Sequence, residues 1–295
     1  MLFRSAVIEH NGEALLLEAD GIWSKLMEAD PYWAGYCSVL VNIHDIAAMG
    51  GKPLAMVDVF SIADERIRDK VVKGMHDASY QFGVPVVGGH LHPDTPYSVI
   101  DVAILGVAPL DSVIYSHTAE AGDRVVAAID LDGRVHPSCN LNWDSVTMKS
   151  ARAVRAQIRI METIGKEQLV TAGKDISNPG IIGTLGMLLE VSGKGASIEL
   201  YAVPRPNLAK HGITFEHWVR MYPGMGFILT VKEERMPELV DRFAGVGITA
   251  KVIGTVDGSR ELTVTYKGGD ESRVFDFSHN GIMRLFSPSS SCGCK

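Results

Sequence analysis

The stretch that most limits the fold is DERIRDKVVKGMHDASYQF (64–82), because it carries a helical period between strand-like neighbours. Ile67, Val71, Met75, Ala78 and Phe82 recur at spacings of three and four, giving one apolar stripe with charges opposite. LAMVDVF (54–60) and VPVVGG (84–89) flank it, and VIDVAILGV (99–107) and RVVAAID (124–130) follow. All are rich in Val and Ile and bounded by Gly, Pro or Asp, as strands are. A helix of this kind packs on a sheet, so the first half of the chain is expected to be α/β.

LDGRVHPSCNLNWD (131–144) has neither period and is dense in turn formers, which places a domain boundary near residue 140. The 295 residues are long for one core and comfortable for two. The expected division is therefore 1–140 and 141–286, with SPSSSCGCK (287–295) as an unpacked tail. Asp144 is placed to cap a helix with Met148, Ala151, Val154, Ile158 and Met161 on one side and Gly165 as its stop. SIELY (197–201), GFILTV (226–231), MPELVDRF (236–243), AKVIGTV (250–256) and ELTVTY (261–266) make the second half α+β.

A net charge of -7 from 35 acidic and 28 basic residues, without long like-charge runs, argues against nucleic acid or an anionic membrane as partner. No apolar run reaches the ~18 residues that span a bilayer, and the expected location is cytoplasmic. Cys37, Cys139, Cys292 and Cys294 are too few and scattered for a disulfide framework, so reduced thiols are expected. The first-half strands read as buried on both faces yet are too few to close a barrel, which implies a homodimer.

Four places could carry chemistry. Along VNIHDIAAMGGKP (41–53) and the turn before it, Ser38, Asn42, Asp45 and Met49 share a stripe beside the apolar face, and two glycines and a proline end the helix. A carboxylate and an amide one turn apart suit Mg²⁺ or the phosphates it carries; the alternative is that both face water. Asp20 ends the apolar run ALLLEADG, at a strand terminus where ligands of α/β folds sit, or is only a turn residue. Gly88 and Gly89 follow a strand and admit close approach of a ligand, with His90 and His92 beyond them as loop histidines or as half a zinc site. In GKDISNPGIIGTLG (173–186), Asn178 is expected as an N-cap with Pro179 at the first helical position, and Gly180, Gly183 and Gly186 leave a bare track. That helix terminus could take phosphate, with Asp175 sharing a cation, or the glycines could serve close packing.

Together these stretches resemble the superfamily of aminoimidazole ribonucleotide (AIR) synthetase, thiamine-monophosphate kinase, selenophosphate synthetase and the hydrogenase-maturation carbamoyl dehydratase. The carriers are ADGIW, VNIHDIAAMGGKPLAMVDV, VVGGHLHPD, EAGDRVV, KDISNPGIIGTLGMLLEVSGKGASIEL, YPGMGFILTV and VIGTV, spanning about residues 6–285. DGIW, WAGYCSVLVN and GGHLHPD look closest to the AIR synthase-related branch that includes methanogenesis marker protein 2.

The resemblance implies a two-domain α+β fold: an N-terminal α/β domain whose sheet forms a barrel across a dimer, a C-terminal α+β domain, and ATP between them. It implies Asp45, Asp20 and Asp175 as Mg²⁺ ligands, with Asn42, Gly88, Gly89, His90, Asn178 and Gly180 beside the nucleotide. The implied reaction is activation of an oxygen by ATP on a small-molecule or protein-bound acceptor. Such chemistry needs positioning and charge neutralisation more than a nucleophilic side chain.

Phe3 and Arg4 stand where relatives carry acidic residues, which keeps a second expectation open: a catalytically weak nucleotide-binding partner in a maturation pathway. A His-x-His metal hydrolase ranks third. The tail thiols Cys292 and Cys294 loosely resemble the C-terminal cysteine of the hydrogenase-maturation relative, against the plain reading of an inert tail.

Overall fold

A computed structural model describes residues 5–62, 64–92 and 95–283 of the chain. Phe3, Arg4 and the tail cysteines Cys292 and Cys294 lie outside the described residues. The first part runs β1 (Ala6–His10), β2 (Glu13–Gly21), α1 (Ser24–Ala29), α2 (Pro31–Ala48), β3 (Lys52–Ser61), α3 (Glu65–Phe82), β4 (Val86–His92) and β5 (Val99–Pro109). These strands form a five-stranded sheet in the order β1-β2-β5-β3-β4, antiparallel except where β4 joins β3 in parallel after the α3 crossover.

Local chemistry explains both main helices. Asp30 accepts a hydrogen bond from the Trp33 amide and Pro31 sits in the first turn, which starts α2; Gly50, at φ 71, lets the chain turn out of it. Asp64 caps α3, and Gly83 closes it in the left-handed conformation. The expected stripe is the buried face of α3, with Val71, Met75, Ala78 and Phe82 inside.

Every residue of α2 from Trp33 to Ala48 except Val41 is buried. The two helices meet backbone to backbone. A Cβ on Gly35 would lie 2.0 Å from the Val71 carbonyl oxygen, and one on Gly74 would lie 2.0 Å from that of Tyr32.

The inner face of the first sheet, with Leu16, Met56, Ile100, Val102 and Ile104, packs into the core that holds α2 and α3. Its outer face is apolar and uncovered: Ile8, Leu17, Val57, Val59 and Leu105 are 38–48 % exposed.

The second part runs β6 (Arg124–Ile129), β7 (Arg134–His136), β8 (Cys139–Asp144), α4 (Ala151–Lys166), β9 (Ala172–Asp175), α5 (Gly180–Ser192) and β10 (Gly195–Glu199). It continues with α6 (Phe215–Trp218), β11 (Gly226–Val231), α7 (Met236–Ala244), β12 (Thr249–Asp257), β13 (Glu261–Thr265) and β14 (Ser272–Asp276). Seven strands form a mixed sheet in the order β14-β13-β10-β12-β6-β11-β9. Alternate residues of its central strands serve two cores. Val126, Ala128, Phe227 and Leu229 join the core of α2 and α4, while Val125, Ala127 and Ile228 join that of α5. The architecture is the expected two-domain α+β one, and among the described residues no helix is long and apolar enough to cross a membrane.

Several local expectations are corrected. The strand at 124–130, counted with the first half, is β6 at the centre of the second sheet, paired with β11 and β12. The change of sheet therefore falls between Pro109 and Arg124, ahead of residue 140. The supposed linker 131–144 contains the β7–β8 hairpin, whose ladder is too short to show a period; Trp143 anchors it through Nε1 to the Asp130 carbonyl at 3.0 Å.

Asp144 caps a turn, accepting from the amides of Val146 and Thr147, and Ser150 caps α4 instead. Gly165 lies inside α4, where a Cβ would come 2.4 Å from the Ser112 carbonyl oxygen. Pro179 occupies the cap of α5 with no side-chain cap bond, so Asn178 is not the cap, whereas Gly193 ends the helix as expected.

Candidate functional site

Strand β9 is an edge of the second sheet and runs against the C-terminal end of α2. Gly173 permits this approach, since a Cβ there would lie 2.9 Å from Ile114 Cγ2 and 3.3 Å from the Ala48 carbonyl oxygen. The two elements enclose a cleft of about 700 Å³. Asp45 of α2 and Met49 just beyond its end stand on one side, Lys174 and Asp175 of β9 on another, and Val7 with His117 complete the named walls. Lys174 is buried and its Nζ lies 3.0 Å from Asp175 Oδ1, with side-chain exposures of 9 and 4 %. One buried cation and two buried carboxylates thus face a single cleft, an arrangement suited to a ligand that is itself polyanionic and metal-bearing.

A second cavity of about 310 Å³ lies on the other side of β9's end. Its wall takes Asp20 and Gly21 from β2, Cys37, Val41 and His44 from α2, and the 175–178 segment. Asp175 lines both cavities. His44 is buried against Met225, with Nε2 3.1 Å from Sδ. Burial pushes its pKa down to about 4 against the opposing pull of the Asp175 carboxylate, so the ring is neutral. Burial likewise raises the Cys37 thiol well above its usual range.

The structure separates the sequence candidates. Asp45 and Asp175 share the larger cleft, while Asp20 and Asn178 open into the smaller cavity with Asp175. Asn42 is fully buried; its amide donates to the Ser38 carbonyl at 2.8 Å and to that of Asp20 at 3.5 Å, tying α2 to the end of β2. Gly88, Gly89 and His90 lie on the edge strand β4 and line neither cavity.

Gly89 is needed for packing, since a Cβ there would meet Asp58 Oδ1 at 2.1 Å. His90 and His92 stack edge-on at 4.5 Å. Gly180 packs on the chain at Val219 and Arg220. The Gly180 amide donates to the Ser177 carbonyl at 2.6 Å and the Ile181 amide to that of Val219 at 2.8 Å, so the first donors of α5 are occupied by backbone. The glycine track accordingly follows the close-packing alternative: Gly183 meets Pro179, and Gly186 meets Ile282 and Phe275.

Among the described residues, no three His, Cys, Asp or Glu side chains gather closely enough to hold a metal ion on their own. Mg²⁺ needs no such cage, because it is commonly held by one or two carboxylates and completes its shell with water and phosphate oxygens. Asp45 and Asp175 fit that donor set. Lys174 and His44 are site residues that the sequence pattern does not mark out. The one sequence cue for Lys174 is its place directly before Asp175.

Comparison with known proteins gives this geometry a context. Residues 4–108 match the family model described as AIR synthase related protein, N-terminal domain, and residues 111–267 match AIR synthase related protein, C-terminal domain. An uncharacterized protein of Methanocaldococcus jannaschii is 48% identical over 263 residues, covering 89% of this chain and 77% of that one. The fold is similar to that of T. maritima PurL complexed with ATP, at TM-score 0.78 and 19% identity over 93% of this chain, which spans only 46% of the PurL chain. It is also similar to AaThiL complexed with AMPPCP and TMP, at TM-score 0.70 and 20% identity, covering 92% of this chain and 90% of that one.

Proposed function

The chain belongs to the AIR synthase-related family, and on that premise we propose that it binds Mg·ATP in the larger cleft and transfers the γ-phosphoryl group to an oxygen of an acceptor. The observation that carries this reading is the convergence of Asp45, Lys174 and Asp175 on one cleft large enough for a nucleotide. Relatives whose structures hold ATP or AMPPCP support it. Asp45 and Asp175 would hold the magnesium ion, which neutralises polyphosphate oxygens when bound. The Lys174 ammonium, kept beside Asp175 by burial, offers a point charge to a phosphate oxygen. In the transfer the bond from the γ-phosphorus to ADP breaks as the bond to the acceptor oxygen forms.

Calorimetry tests the assignment. Wild-type protein is expected to bind ATP with Mg²⁺ and far more weakly with EDTA, and Asp45→Asn should lower Mg·ATP affinity about tenfold or more with an unchanged fold. Equal Mg·ATP binding by wild type and Asp45→Asn would remove Asp45 from the site. Tight binding without turnover in the presence of acceptors would favour the catalytically weak partner.

The uncovered outer face of the first sheet supports a homodimer in which two such faces meet. The sheet is open, with β1 and β4 as its edges, and a contiguous exposed apolar face of this kind supports a contact surface there. Light scattering should give about twice 31.9 kDa. The pair Val57→Lys and Leu105→Lys should shift the protein to monomer; a wild-type monomer at micromolar concentration would refute the dimer.

A further inference from the structure

We propose that an exposed patch of aromatic rings and cations on the second domain is a docking surface for an acidic segment of a partner protein. The patch gathers three stretches that are distant in the chain: residues 200–205 after β10, the start of α6, and residues 266–268 after β13. β10 and β13 run parallel with Glu199 beside Thr265, so both connections leave the sheet at the same end. Tyr201, Arg205, Phe215, Tyr266 and Lys267 line neither cavity, which sets this surface apart from the proposed nucleotide site.

Tyr201 and Tyr266 are 51 and 49 % exposed, and their rings meet edge to face at 6.0 Å. Two cations lie over these rings. The Arg205 guanidinium stands 4.5 Å from the centre of Tyr201 and 5.2 Å from that of Phe215, and Lys267 Nζ stands 4.9 Å from Tyr201 and 5.5 Å from Tyr266. Such contacts hold a cation over a ring face without neutralising it. Among the described residues neither cation is in an ion pair, and Arg205 donates to the Tyr201 carbonyl at 3.1 Å. The Glu199 carboxylate accepts from the amides of Tyr201, Lys267 and Gly268 at 2.8, 3.0 and 3.2 Å. One side chain thus pins both tyrosine-bearing stretches in place before any partner arrives.

Lys267 adds an independent observation. Its φ is 53°, in the left-handed region that glycine and asparagine enter at less cost, although the residue is exposed and outside both cores. The chemistry then selects the occupant. Tyrosine and arginine dominate protein contacts, since each covers a wide area from a flat, readily ordered group. A guanidinium and an ammonium are donors only, so their complement is a pair of carboxylates carried on a segment that lies against the rings. A nucleic-acid backbone fits less well. Two cations neutralise two phosphates, and a chain of net charge -7 without a basic run offers nothing to follow the backbone further.

The probes are fluorescein-labelled peptides of repeated Glu-Gly-Phe and Gln-Gly-Phe and an oligothymidylate of equal length. With the full chain, anisotropy titrations should show the Glu-Gly-Phe peptide binding about tenfold or more tightly than the Gln-Gly-Phe peptide, as two charge-assisted contacts imply, with the oligothymidylate weaker than both. In the paired variant Arg205→Gln with Lys267→Asn, whose asparagine accepts the left-handed backbone, the two peptides should bind equally. Equal binding of the two peptides by wild type, no binding of the Glu-Gly-Phe peptide, or a preference for it that survives in the paired variant would overturn the inference. Tighter binding of the oligothymidylate would overturn it in favour of a nucleic-acid surface.

If the paired variant does not fold, Lys267 supplies the readout in the wild type. Peptide-resolved mass spectrometry after brief treatment with N-hydroxysuccinimidyl acetate should show Lys267 protected by the Glu-Gly-Phe peptide, while the exposed Lys70 on α3 reacts as before. Lys267 acetylated at the same rate with and without the peptide would overturn the inference.

Discussion

Asp175→Asn is expected to cost the protein about 3–5 kcal/mol of stability, because it leaves the Lys174 ammonium buried without the carboxylate that now lies 3.0 Å from it. The same change should lower ATP turnover by about a hundredfold or more, the usual cost of removing one preorganised electrostatic partner from a transition state. The two losses are separable. Replacing both residues, Lys174→Met with Asp175→Leu, removes the unpaired charge and should recover most of the stability while turnover stays lost. Urea midpoints and steady-state rates on the three proteins decide it. A single mutant as stable as wild type would mean that the pair is not desolvated as described, and turnover retained in the double mutant would take Asp175 out of the chemistry.

The second large effect lies away from the cleft. Gly35→Ala and Gly74→Ala each place a methyl group 2.0 Å from a backbone carbonyl oxygen of the facing helix. No rotamer change relieves that contact, so α2 and α3 must separate, and a loss of about 3 kcal/mol or more is expected in either variant. Gly258→Ala is the matched control, since its Cβ meets nothing within 4 Å. Thermal midpoints that fall together for all three would show that the helix contact does not set the result.

What could be read in the sequence was local. The α3 stripe is written in spacings of three and four, and the end of α2 in Gly50 and Gly51, so the position of Asp45 near a rim followed from short-range chemistry. Sheet membership was not local. Nothing in RVVAAI distinguishes a strand of the first sheet from the centre of the second; pairing with β11 and β12, which lie about a hundred residues or more along the chain, decides it.

The glycines of α5 illustrate the same limit. Their spacing is visible, but whether a phosphate or Phe275 and Ile282 fill the track depends on where the C-terminal strands return. Lys174 carries no pattern of its own, because lysine is rarely buried without a partner and its partner is simply its neighbour in the chain. Asn42 carries the polar pattern of a ligand, yet its amide holds two parts of the scaffold together.

The burial of α2 has a mechanical consequence for the larger cleft. One jaw is a capped helix enclosed along nearly its whole length, and the other includes β1, an edge strand whose residues are mostly exposed. The enclosure of α2 holds the carboxylate of Asp45 in place before a ligand arrives, so on that jaw binding carries little ordering cost.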